Sequence, residues 1–227
     1  STVGFGLFYA PLSMASIYGE SWFVAATWQI TILAGLLLTP LFGQKIPGKQ
    51  LGMTLLILLG IVLIQIPYFG RGLGEGVVRA SILILIAAFS YPLGNRKMLV
   101  HCKEEQLSTT QRVFGMTLMS VPFWLLLAVF AGLDAGLPSG GQMLQSLIVA
   151  VFSGVIATML FFEATNLVKH NHQQLAVVEA TQAGEVLFTL FGGCLFLGDQ
   201  IPTPLGFLGV FIVIIGIVGN SLMTSSE

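Results

Sequence analysis

The chain has 227 residues, of which 55% are hydrophobic and only 8% charged, with a formal net charge of −1. Soluble domains carry roughly 25% charged residues, so a water-soluble fold is excluded: a chain of this length cannot hide that much apolar surface. With no basic patch, nucleic-acid binding has no support either.

The apolar runs are continuous rather than alternating, which excludes a β-barrel and predicts an all-α integral membrane protein. Eight spans follow in chain order: 3–18, 22–42, 51–69, 76–93, 113–133, 143–168, 175–197 and 205–223. Each is near the roughly 20 residues a helix needs to cross about 30 Å of hydrocarbon. Lipid offers the backbone no partner, which selects helix despite the β-propensity of Val and Ile. The breaks carry Gly, Pro and charge: Gly43–Gln50, Phe69–Gly76, Asn95–Arg112 and Gly198–Pro204. The first run starts at Ser1 without a signal-peptide n-region, and the chain is expected to lack its true N-terminus.

Lys and Arg set the orientation. With eight alternating spans both ends share one side, which holds Lys45, Lys49, Arg96, Lys97, Lys103, Arg112 and Lys169; Arg71 and Arg79 face the other. The expectation is a multi-pass protein of the cell membrane with both ends cytoplasmic and lipid as its constant partner.

Two parts of the chain look alike. Leu7–Gln29 resembles Leu160–Gln182, and Phe42–Gly52 resembles Leu197–Gly206. The matched helices are five apart, and an odd interval inverts orientation. Inverted repeats are a transporter feature, with substrate bound at their interface near the midplane. A five-helix repeat predicts ten spans, two of them before Ser1. Residues 1–69 are then the last three helices of one repeat and 70–227 a complete second repeat.

The tail LFTLFGGCLFLGDQIPTPLGFLGVFIVIIGIV resembles the closing helix pair of the drug/metabolite transporter superfamily. Those chains end with a small-residue helix, a "G-E-x-x" turn and a glycine-paired helix. Here Asp199 stands at the usual Glu, and Gly209 and Gly216 form the pair. The openings GFGLFYAPLSMASIYGESWFVAATWQ and FFEATNLVKHNHQQLAVVEATQAGEV resemble the multidrug resistance efflux branch. The resemblance implies ten helices in two inverted halves and export of small metabolites or drugs. The chain departs from it by lacking two helices and by Gln44–Lys45 in place of a first acidic turn.

Candidate working groups are polar residues inside apolar runs, where a carboxylate costs several kcal/mol unless it faces a cavity or a partner. Glu179 and Glu185 lie six apart, about 240° around a helix. Thr181 shares a face with Glu185, and Gln182 one with Glu179. A protonatable carboxylate here would bind a cationic substrate or a coupling proton; the alternative is a Glu reaching water at the helix end. Glu163 and Asn166 share a face, with Lys169 in reach, and form a site or an interfacial charge pair. Gln29, with Thr27 and Trp28, mirrors Gln182: an amide orients an organic substrate and a ring contacts a cation or an apolar body, unless the amide bonds helix to helix. Tyr9, Tyr18 and Trp22 are expected in the interfacial belt, and Pro92 is expected to free a carbonyl.

No metal or cofactor is expected. His101, His170 and His172 fall in loops, Cys102 and Cys194 read as structural and unpaired, and there is no phosphate-binding G-x-x-x-x-G-K-[ST]. No Lys or Arg lies deep in a span, which favours cationic or neutral substrates over phosphorylated ones. The expected function is proton-coupled secondary export of a small organic molecule by a monomer or homodimer. An uncoupled facilitator or exchanger is the second reading. A scaffold or a membrane-embedded enzyme is remote, since no nucleophile–base pair recurs.

Overall fold

A computed structural model describes residues 2–43, 48–69, 75–101, 108–168, 178, 181 and 183–224. Among these every regular element is helical, and the helices form eight rods. These are α1 (Thr2–Ala15), α2 (Ser21–Phe42), α3 (Gly48–Phe69), α4 (Glu75–His101), α5 (Thr109–Ala135), α6 (140–168), α7 (Ala183–Leu197) and α8 (Pro204–Thr224). Every predicted span has its helix. α4 runs about two turns past the predicted end, because Arg96 and Lys97 continue the helix instead of stopping it. Five of the rods are long and apolar enough to cross a membrane, and α1, α3 and α7 contribute shorter apolar stretches.

The ends have local causes. Ser108 and Ser139 each open a helix with a capping box closed by Gln111 and Gln142. Gly43, Gly136 and Gly198 follow α2, α5 and α7 with positive φ, which costs a residue without Cβ little.

Close crossings place the rods. α8 lies along α3, and Gly60 and Gly209 face each other there. A Cβ on Gly60 would stand 2.7 Å from the Gly209 carbonyl oxygen, and one on Gly209 2.6 Å from that of Gly60. Small residues let backbones approach this closely, which is how helices associate where lipid removes the hydrophobic driving force. Gly216 and Gly219 extend the seam toward Ile57 and Met53. A second close approach, Gly4 on Gly94, joins α1 to α4. Trp22, Phe23 and Ala26 of α2 share one core with Ala183, Val186 and Leu190 of α7 and with Ile57, Ile61 and Ile64 of α3. By contrast, α6 exposes its apolar side chains over residues 143–160.

Candidate functional site

Polar and aromatic groups gather where α2 loses its regularity. The helix breaks at Gln29, whose N–H bonds back to the Ala26 carbonyl and whose carbonyl accepts from Ile32 at 3.1 Å. Such a tightened turn within a helix marks strain or a hinge. Beside it, Trp28 meets the Phe8 ring at 4.9 Å and the Tyr91 ring at 5.8 Å, and Phe8 meets Tyr91 at 4.8 Å and Tyr9 at 4.2 Å. Three helices thus supply one aromatic cluster. Tyr9 remains 45% exposed at its edge.

Pro92 explains how α4 holds its place here. Proline has no N–H, so the Ala88 carbonyl lacks its intrahelical donor. Thr31 of α2 supplies one, its hydroxyl donating to Ala88 O at 3.1 Å. The carbonyl is freed as expected, and a neighbouring helix takes it up. α4 nevertheless stays continuous through the proline.

The predicted site residues fall into three sets. Trp28 joins the aromatic cluster. Gln29 is buried, and its amide donates to Ala25 O at 3.3 Å within its own helix. Thr27 accepts from Gln65 of α3 at 3.4 Å.

Glu185 and Thr181 are the described members of the acidic stretch, and both are exposed. Ala183, Val186 and Leu190 turn toward the core, so Glu185 stands on the flank of α7, roughly 130° around the helix from that face. Its side chain has no ion-pair partner among the described residues. Glu179 and Gln182 lie outside the described residues, as do Lys169 and the side chain of Asn166. Glu163 is exposed on α6, apart from the aromatic cluster.

The structure corrects one belt assignment and adds a residue. Trp22 is only 2% exposed, and its indole N–H donates to Gln200 O at 3.0 Å; Tyr9 belongs to the aromatic cluster. The burial of Trp22 is not legible in the sequence because position near a helix end does not reveal lateral neighbours. Gln65 was missed, although a lone amide in an apolar run is itself a signal. No group of three potential metal ligands occurs among the described residues.

Comparison with known proteins supplies the context. The EmrE family model, described as "Putative multidrug resistance efflux transporter", matches residues 1–226. The chain is 49% identical over 234 residues to "Uncharacterized protein YjlA" of Bacillus subtilis (strain 168), covering 96% of this chain and 71% of that protein. It is 42% identical over 195 residues to "Uncharacterized 42.1 kDa protein in intracellular alkaline protease 3'region" of Shouchella clausii, covering 82% of this chain and 51% of that protein. No solved structure matches it significantly.

Proposed function

Since the chain belongs to this family of multidrug resistance efflux transporters, we propose that it is the larger part of a secondary transporter exporting a small cationic or neutral organic molecule across the cell membrane. The aromatic cluster carries this reading. Phe8, Trp28 and Tyr91 bring rings from three helices together, Phe8 buried and Tyr91 exposed at the edge, and ring faces attract a cation or cover a flat apolar body. Glu185 supplies the negative charge. Its helix packs on α2, so the carboxylate and the rings ride on two rods in contact.

Alternating access follows if the two helix sets are inverted repeats. α2 packs on α7 and α3 on α8, each pair five apart, as counterparts around a single dyad would be. The same rule accounts for α6. Its counterpart α1 packs on α4 and α5; five back from those are two helices preceding α1, which would cover the exposed α6 face. Proton binding at Glu185 competes with the cation and couples its exit to proton entry. Both chain ends are cytoplasmic in this reading.

The test is transport of a fluorescent organic cation, such as ethidium, into inside-out vesicles holding the full-length protein. Accumulation that needs an acid interior supports the reading. Accumulation indifferent to a collapsed gradient favours an uncoupled facilitator, and no transport of cationic or neutral probes rejects export of this class.

A further inference from the structure

Among the described residues, the acidic turn between α7 and α8 is held by several hydrogen bonds that the substrate-site reading does not use. Gly198 ends α7 with φ 74°, and the Asp199 N–H then donates to Gly193 O at 3.1 Å. Gly193 is buried, and a Cβ there would occupy the space of the Asp199 carboxylate. Thus fixed, Asp199 Oδ2 accepts the backbone N–H of Ser21 at 2.7 Å, across 178 residues of chain. Ser21 is the first residue of α2, and its preceding residue Glu20 makes no side-chain cap. The N–H groups of a first helical turn have no intrahelical acceptor, and a carboxylate satisfies one while sitting at the positive end of the helix dipole. One residue on, Trp22 donates to Gln200 O. The start of α2 is therefore bolted to the α7–α8 turn at two successive positions. A cleft lined by Trp22, Ile64, Pro67, Gln200, Pro202 and Gly206 lies alongside. At the opposite end of α7, Thr181 and Glu185 are exposed.

We propose that Asp199 and Gln200 form a latch on α2 that closes one mouth of the molecule in the state seen here and parts when that mouth opens. The positive-inside reading makes this the outer mouth. The latch joins α2 to α7 and α8, the helices assigned to different repeats, so it breaks when those repeats rock apart. The inference rests on the alternating-access reading.

The test uses full-length protein in cells, with Cys102→Ser and Cys194→Ser, and Thr27→Cys as a buried reporter below the latch. A membrane-impermeant maleimide is applied from the outside. Asp199→Ala should raise the labelling rate about tenfold or more, whereas Asp199→Asn, which keeps an acceptor oxygen, should stay within about twofold of the parent. Equal rates in parent and Ala variant overturn the latch, and so does an Asn variant that labels as fast as the Ala variant. Ser21→Cys with Asp199→Cys, without the reporter, gives a second arm: oxidation should stop ethidium transport and reductant restore it. Unchanged transport through the crosslinked protein also overturns the latch. Labelling as described in the reporter background, with native protein that moves no probe, defeats the transporter reading instead, so the two failures are separable.

Discussion

Trp28 stands at the break in α2 with Phe8 and Tyr91 against it. A cation over an aromatic face is worth about 0.5–2 kcal/mol, and 1.4 kcal/mol is tenfold in affinity. Trp28→Ala should therefore raise the KM for ethidium about twofold to thirtyfold, while Trp28→Phe recovers much of the loss. Initial-rate transport measures this, and an unchanged KM would remove Trp28 from the site. A second residue-level prediction concerns Thr31 and Pro92. Thr31→Val removes the donor to Ala88 O, at about 0.6 kcal/mol for a hydrogen bond between membrane helices. In a Pro92→Ala background the backbone N–H returns and the same change should cost almost nothing. A double-mutant cycle in detergent unfolding measures the coupling; equal costs in both backgrounds would refute the account. The sequence announced Trp28 and Pro92 as polar or special groups within apolar runs. It could not pair them, because these helices are apolar on nearly every side and periodicity does not say which face meets which neighbour.

At the scale of elements, the reciprocal crossing of α3 and α8 at Gly60 and Gly209 is a close backbone contact. The obstruction there is backbone, which no side-chain movement relieves. Overpacking costs about 1–3 kcal/mol, so Gly209→Leu should lower the unfolding midpoint in detergent. Gly52→Leu on the open side of α3, where an added Cβ meets nothing, should leave the midpoint nearly unchanged. Equal shifts would show that the seam does not hold the pair. Helix existence and approximate bounds were legible in the sequence because hydrocarbon thickness fixes length and the backbone must bond internally. The final glycine pair was legible as a packing motif, but its partner Gly60 was not, since nothing in one helix names the other.

The whole molecule holds together unevenly. α2, α3, α7 and α8 share a core, while α6 exposes its apolar side chains all around over residues 143–160. The inverted-repeat reading assigns two preceding helices to that face. In the full-length protein, cysteines placed along one stripe of α6, at Leu147, Val151 or Val155, should react slowly with an impermeant maleimide and crosslink to those helices. Rapid labelling at all three with no crosslink would set the assignment aside. The proposed repeat is only faintly legible in the sequence, because two stretches built from Leu, Ile, Val and Gly resemble each other by composition; α2 packs on α7 and α3 on α8, an arrangement the proposal uses. The acidic stretch was fully visible in sequence, yet its neighbours Glu179 and Gln182 lie outside the described residues, so Glu185 bears the central claim. The direct measurement is ethidium accumulation in inside-out vesicles, compared for parent and Glu185→Gln across external pH with an imposed acid interior. The account predicts that the parent accumulates the cation, with apparent affinity rising with external pH as protons cease to compete. The variant should lose about tenfold or more of gradient-driven transport and show a flat pH profile. A variant that matches the parent in both rate and pH dependence would contradict it.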